Sequence, residues 1–276
     1  METLNKIDFE KFYIYDENMN IINIDIELLS QKQHLEKYFE IVKDVVDSYV
    51  DNSEYVPYEF MQNIKPEYFP KSEMENMYMY LAEKIISLHE YDLGGIKAEY
   101  LKSRDYAKIC EIALNECGGL IKEVDFKKLT PEQYFQICLT AINEFNPDDF
   151  NEALSYIQIN HLPENLKVYD NNIDNFITLD NQQKVYSYLA EQSILTDPLT
   201  LKFVDIDNLT SINDFIKLSQ LALENGLEEY LDYENLAEIF QVSRLPNQFQ
   251  NIDNGEVLIE ELKKYQIPTI ETKLNL

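Results

Sequence analysis

Asp105-Tyr106-Ala107-Lys108-Ile109-Cys110-Glu111-Ile112-Ala113-Leu114 and Asp214-Phe215-Ile216-Lys217-Leu218-Ser219-Gln220-Leu221-Ala222-Leu223 match in residue type at nearly every position, at an offset of 109 residues. A third copy runs Gln133-Tyr134-Phe135-Gln136-Ile137-Cys138-Leu139-Thr140-Ala141-Ile142. Each puts apolar side chains at i, i+3, i+4 and i+7, one face of an α-helix. A different pair, Met77-Tyr78-Met79-Tyr80-Leu81-Ala82-Glu83 and Val185-Tyr186-Ser187-Tyr188-Leu189-Ala190-Glu191, recurs at an offset of 108. Two matches at nearly one offset predict that residues 71–128 are echoed by residues 179–236.

Between the helical patches a second element recurs: apolar, Asp, apolar, two residues, Leu. It reads Ile24-Asp25-Ile26 to Leu29, Val124-Asp125-Phe126 to Leu129, Val204-Asp205-Ile206 to Leu209 and Leu231-Asp232-Tyr233 to Leu236, with a weaker copy from Asn175-Phe176 to Leu179. Ser30, Thr130 and Thr210 follow the Leu, and Pro131 follows Thr130, the signature of a helix N-cap with Pro at the first helical position. Anchoring leucines at 101, 129, 179, 209 and 236 are spaced 28, 50, 30 and 27 residues apart. A unit of 27–30 residues, about one long helix and a short turn, cannot bury its apolar face alone, so neighbouring units must stack. The fold class expected is all-α, of stacked, α-solenoid-like helical repeats.

The 50-residue gap contains Asn146-Pro147-Asp148-Asp149 and His161-Leu162-Pro163-Glu164-Asn165. Residues 146–178 therefore read as an irregular insertion or hinge between a block at 1–145 and a block with its closing cap at 179–276. Phe12-Tyr13-Ile14-Tyr15 and Ile21-Ile22-Asn23-Ile24 around Asp16 to Asn20 fit a small β-hairpin or, equally, a degenerate capping repeat. One helix is expected near Glu256 to Tyr265, before Pro268. The ladder of Tyr or Phe, Ile or Leu, Cys or Ser, Ala, and Ile or Leu resembles bacterial helical-repeat families such as the leucine- and alanine-rich repeats of effector-like proteins. The resemblance covers about half the chain, implies a binding scaffold and carries over no catalytic residue.

Composition narrows the function classes. Of the 276 residues, 51 are Asp or Glu and 23 are Lys or Arg, a net charge of −28. Binding nucleic acid through a basic footprint, or an anionic membrane through basic clusters, needs the opposite balance. The 45% hydrophobic fraction is enough for a folded core. The 6 Gly and 9 Pro among 276 residues, about 2% and 3%, fall below averages of about 7% and 5%, which disfavours turn-rich β folds and phosphate-cradling loops. No apolar run reaches about 18 residues, and Met1 to Phe12 lacks a basic segment followed by an apolar one, so a cytoplasmic location is expected.

No catalytic, metal or cofactor constellation assembles. Cys110, Cys117 and Cys138 are odd in number and lack a C-x-x-C pair, so reduced buried thiols are expected. His34, His89 and His161 are scattered, and His89 has no second His four residues on. Cys110, Cys138 and Ser219 share one repeat position beside a fixed Ala, a slot for a small packed residue rather than a nucleophile. Gly94-Gly95 and Gly118-Gly119 read as helix terminators.

Charge is uneven: residues 144–240 hold 19 acids and 4 bases. The recurrent Asp25, Asp125, Asp205 and Asp232 read either as an acidic row facing a basic partner or as Asx turns that tie down each connector. Their apolar neighbours favour the turns. Tyr78 and Tyr80, like Tyr186 and Tyr188, stand two apart, so one of each pair must leave a helix's core face. The expected function is non-enzymatic: an acidic scaffold that binds and inhibits a basic protein, such as a nuclease or nucleic-acid-guided complex, by imitating nucleic acid. The expected contacts are Asp205, Asp207, Glu228, Glu229, Asp232, Asp125, Tyr186 and Tyr188. The alternative is a general peptide- or protein-binding adaptor with incidental acidity.

Overall fold

A computed structural model of the chain describes residues 9–52, 56–87, 93–143, 152–170, 175–230 and 235–266. The chain divides into two compact units, Met1–Ile137 and Cys138–Leu276. The first opens with β1 (Tyr13–Tyr15) and β2 (Ile21–Ile24), followed by α1 (Ile26–Gln31), α2 (Tyr38–Asp51), α3 (Tyr58–Asn63), α4 (Met74–Ile86) and α5 (Ser103–Leu114). Then come α6 (Pro131–Asn143) and α7 (Ala153–Tyr156), the strands β3 (Leu166–Asp170) and β4 (Asn175–Leu179), α8 (Gln182–Thr196) and α9 (Ile212–Glu224). The series ends with α10 (Leu236–Ile239), α11 (Asn247–Gln250) and α12 (Gly255–Lys264). In the first unit α2 packs on α4 and α4 on α5; in the second α8 packs on α9 and α9 on α12. The fold is all-α with small two-stranded hairpins.

One burial register governs the long helices. The buried faces are Tyr38, Ile41, Val42, Val45 and Val46 on α2, Tyr78, Leu81, Ala82, Ile85 and Ile86 on α4, and Tyr106, Ile109, Cys110, Ala113 and Leu114 on α5. The same slots hold Tyr134, Ile137, Cys138, Ala141 and Ile142 on α6, Tyr186, Leu189, Ala190, Ser193 and Ile194 on α8, and Phe215, Leu218, Ser219, Ala222 and Leu223 on α9. The two sequence families read above are therefore one repeat of one long helix, and α2 is a member that the sequence comparison misses. Leading aromatics are 28 residues apart from Tyr78 to Tyr106 and from Tyr106 to Tyr134, and 29 apart from Tyr186 to Phe215. Each large apolar side chain buried on these faces contributes about 1.5–3 kcal/mol, against about 0–1 kcal/mol for an exposed ion pair. Packing, not charge, decides the fold.

The connectors are six-residue segments at 64–69, 96–101, 124–129, 157–162, 204–209 and 240–245, each holding a 3-10 turn. In each, the N–H of the sixth residue donates to the carbonyl of the third, as Leu101 does to Ala98 and Leu209 to Ile206. In four of the six the N–H of the second residue is accepted by a tyrosine hydroxyl, whereas Gln241 N donates to Glu238 O. Lys97 N donates to Tyr78 Oη, Asp125 N to Tyr106 Oη and Asp205 N to Tyr186 Oη, each at 2.8 Å, and Lys65 N to Tyr38 Oη at 3.0 Å. Connectors also bond to one another in a shared register. The second residue reaches the first carbonyl of an earlier connector (Lys97 Nζ to Ile64 O, Gln241 Nε2 to Val204 O). The fifth reaches the fourth (Tyr100 Oη to Glu67, Arg244 to Asp207).

Several local expectations change. The N-terminal hairpin forms, with Tyr13 opposite Ile24, and Asp16 Oδ1 accepts the N–H groups of Asn18 and Asn20 across the turn. Within 146–178, expected to be irregular, Leu166–Asp170 forms β3 and pairs in regular antiparallel register with Asn175–Leu179, β4, so Asn175 to Leu179 is a strand rather than a connector. Thr130 caps α6 as expected: its hydroxyl accepts Gln133 N while Gln133 Oε1 accepts Thr130 N, a reciprocal capping box. Ser30 instead lies inside α1, whose cap is Asp25, and α9 is capped at Ser211 rather than Thr210. Gly118 begins a 3-10 helix, Gly118–Glu123, instead of ending a helix. The glycine in the left-handed region is Gly226, φ 90°, just past α9, where an L side chain would be strained. Of the leucine anchors, Leu101, Leu129 and Leu209 close connectors, whereas Leu179 ends β4 and Leu236 begins α10.

Replacing Tyr106 or Tyr186 by Phe leaves a connector N–H without its acceptor and should cost about 1–3 kcal/mol in urea unfolding. Tyr58→Phe, at an exposed ring, should stay within about 0.5 kcal/mol. Equal small effects at all three would remove the hydroxyl from this account. Burial also lifts the Tyr38, Tyr78, Tyr106 and Tyr186 hydroxyls well above the ordinary 10.0. Above that pH the unfolded chain binds fewer protons than the native one, so stability is full below pH 10 and falls as pH rises beyond it. Alkaline titration should therefore show loss of helical circular dichroism coincident with the last tyrosinate absorbance. Complete tyrosinate formation in a still-helical protein would contradict this.

Candidate functional site

Asp205, Asp207, Glu228 and Glu229 of the second unit stand on 3-10 turns or at their entrance. Asp205 is exposed; its N–H donates to buried Tyr186, and its Oδ1 accepts Asp207 N at 3.0 Å. It is thus an Asx-turn residue whose side chain stays 47% exposed. Asp207 lies on the same turn with its side chain 79% exposed. Asp125 repeats the arrangement in the first unit, donating its N–H to Tyr106 and accepting Lys127 N at 3.2 Å. Asp25 accepts Leu28 N as the cap of α1. The turn role holds at all three described positions; Asp232 lies outside the described residues.

Two cations that the sequence reading passed over meet this surface. Arg244 bonds Asp207 through Nη2 and sits 3.8 Å from Asp205 through Nη1, while Lys263 of α12 pairs with Glu228. Glu228 and its exposed neighbour Glu229 lie on the 3-10 turn Leu227–Tyr230. These pairs are solvent-exposed and worth about 0–1 kcal/mol each, so they orient the carboxylates more than they stabilise the unit. Their i,i+37 and i,i+35 separations are invisible to local pattern reading.

Beside them lies an open groove of about 600 Å³ lined by Glu228, Glu256, Glu260 and Glu261, by Lys263 and Lys264, and by Val257 and Ile259. Val257 is 48% exposed, which gives the groove an apolar patch among carboxylates. Lys264 holds the Glu260 carboxyl below the usual carboxylate range, so it stays ionised at neutral pH. A second groove of about 450 Å³ runs where α8 meets α9, between Glu191 of α8 and Asp214, Lys217 and Glu224 of α9.

The two tyrosines separate. Tyr188 is half-buried on α8, but Tyr186 is fully buried, its hydroxyl occupied by the Asp205 N–H. The expectation that Tyr186 meets a partner is corrected: it heads the core face of its helix. Tyr78 and Tyr80 divide the same way, and Tyr80 donates to Asp47 Oδ1 at 2.8 Å.

Among the described residues no group of three or more His, Cys, Asp or Glu could hold a metal ion, and no helix is long and apolar enough to cross a membrane. Cys110 and Cys138 are buried and Cys117 is half-buried. The small slot shared by Cys110, Cys138 and Ser219 is packed in every case, and Ser219 Oγ donates to Phe215 O at 2.9 Å. No protein-family model, curated protein or solved structure matches the chain.

Burial pushes the Cys110 thiol up to about 12, far from the thiolate that reacts with electrophiles. Iodoacetamide at neutral pH should therefore label Cys117 first, with Cys110 and Cys138 protected until the protein is unfolded. Peptide mapping that found Cys110 modified as fast as Cys117 would contradict a packed role for that slot.

Proposed function

We propose that the chain is a non-enzymatic binding protein whose second unit docks a basic, nucleic-acid-binding protein on its carboxylate surface and inhibits it by occupying the place of nucleic acid. The observation that carries the reading is the excess of 19 acids over 4 bases in residues 144–240, on a folded helical scaffold. Solubility needs a net magnitude of only about 2–8 in a small domain. An unbalanced field of this size opposes folding by self-repulsion and speeds encounter with an oppositely charged partner. Asp205 and Asp207 fit the reading because the turn fixes their backbone and leaves their carboxylates exposed. The Glu228–Glu229 turn adds two more, Glu228 on the wall of the groove that Glu256, Glu260 and Glu261 share with Lys263 and Lys264.

The test begins with capture from the native host at low salt and identification of the protein retained. A partner of this class should be basic, should be released by raised salt, and should be displaced by duplex DNA or by RNA. Asp205→Asn, Asp207→Asn, Glu228→Gln and Glu229→Gln combined should weaken the complex at least about tenfold, chiefly in the association rate. Asn keeps the Oδ1 acceptor of the turn, so the fold is spared. A retained protein that is neutral, survives high salt and ignores nucleic acid would sink the mimicry reading and favour a general adaptor. Undiminished affinity of the neutralised variant would move the docking surface elsewhere.

A further inference from the structure

Hairpin β3–β4 turns a second kind of surface outward. Its register pairs Tyr169 with Phe176 and Lys167 with Thr178. Side chains alternate across a strand, so these four share one face, and all four are exposed. The opposite face carries Leu166, Val168, Ile177 and Leu179, which are buried or half-buried, so the apolar requirement of the hairpin is met there. On the outward face Phe176 is 66% and Tyr169 45% exposed, with ring centroids 5.2 Å apart in an edge-on arrangement. An exposed aromatic pair on the outer face of a hairpin marks a contact surface.

Charge selects the occupant. Residues 144–180, which contain the hairpin, hold eight acids and a single base, Lys167. A second copy of the chain would bring two such segments together and is repelled. An arginine side chain satisfies both features at once, because its planar guanidinium stacks on an aromatic face and its charge suits a segment whose sequence is strongly acidic, with Glu164 just before β3 and Asp180 just after β4. Lysine supplies the charge without the planar stack. Resting on the acidic docking function proposed above, we propose that the Tyr169–Phe176 face is the platform on which arginines of an extended basic segment of the partner protein stack.

The test uses the full chain with short fluorescent oligoarginine and oligolysine peptides, read by anisotropy at low salt. Oligoarginine should bind more tightly than oligolysine. Tyr169→Leu with Phe176→Leu should weaken oligoarginine about tenfold and abolish the preference, leaving salt-sensitive residual binding. Leucine keeps apolar bulk on the strands, and circular dichroism checks that the fold is retained. Tyr169→Phe with Phe176→Tyr retains both rings and should keep the preference. An unchanged preference in the leucine variant, or its loss in the ring-exchanged one, would overturn the platform while leaving acidic docking intact. Failure of both peptides to bind the unmodified protein at low salt would overturn the docking reading, and this inference with it.

Discussion

A tyrosine hydroxyl that accepts a backbone N–H is the interaction on which the repeat depends. A 3-10 turn of three residues closes two hydrogen bonds of its own, as Tyr100 N to Lys97 O and Leu101 N to Ala98 O do, and leaves the N–H at its entrance for another acceptor. Burying that donor unsatisfied costs about 1–3 kcal/mol per copy. Tyr78, Tyr106 and Tyr186 each accept it from a residue 19 positions on, which ties the start of a helix to the connector that follows it. Tyr38 does the same over 27 positions, across an added α3. With connector 204–209 fixed to α8 through Tyr186, Gln241 and Arg244 of the connector after α9 bond Val204 O and Asp207 in a shared register. Small residues in the slots four and seven after the aromatic, such as Cys110 and Ala113 or Ser219 and Ala222, make these helix faces slim enough to pack closely.

How much of this was legible follows from what side-chain identity encodes. The helical faces were readable because burial demands apolar residues at fixed spacing, and the alignment of Tyr106, Tyr134 and Phe215 fell in the correct slot. The connector was misanchored for a physical reason: its constant element is a backbone N–H, which Lys65, Lys97, Asp125 and Asp205 supply equally well. A pattern built on Asp therefore found two of these four and admitted Asn175 to Leu179, which pairs as a strand. The hairpin escaped notice because its five-residue arms alternate only briefly and its inner face is half-buried. Tyr38 was missed because α3 lengthens its unit to 40 residues before Tyr78, outside the 27–30 spacing used to search.

The acidic surface was legible in amount but not in arrangement. Counting shows where carboxylates concentrate; it does not show that Asp205 is at once a turn residue and a surface charge, or that Arg244 and Lys263 return from later in the chain to orient its neighbours. Tyr186 shows the limit of pairwise spacing. Two tyrosines at i and i+2 say that one must leave the core, and only the continuation through Leu189, Ala190, Ser193 and Ile194 says which one stays.

The division of labour between core and surface explains how so much charge is tolerated. Most of what holds the repeat together is neutral, namely apolar faces, tyrosine hydroxyls and backbone amides, with charged side chains entering at connector bonds such as Lys97 Nζ to Ile64 O and Arg244 to Asp207. Surface ion pairs such as Lys108–Glu83 and Lys102–Glu75 in the first unit add about 0–1 kcal/mol apiece. Folding therefore places weak demands on surface charge, and the balance can drift from 26 acids against 15 bases in residues 1–128 to 19 against 4 in residues 144–240 without disturbing the register. A charge distribution that the fold does not require, and that self-repulsion opposes, is the ground on which the basic partner is proposed. The exposed aromatic pair on β3–β4 lies in the same acid-rich stretch, where the repeat is interrupted by an insertion that the helical stack does not need.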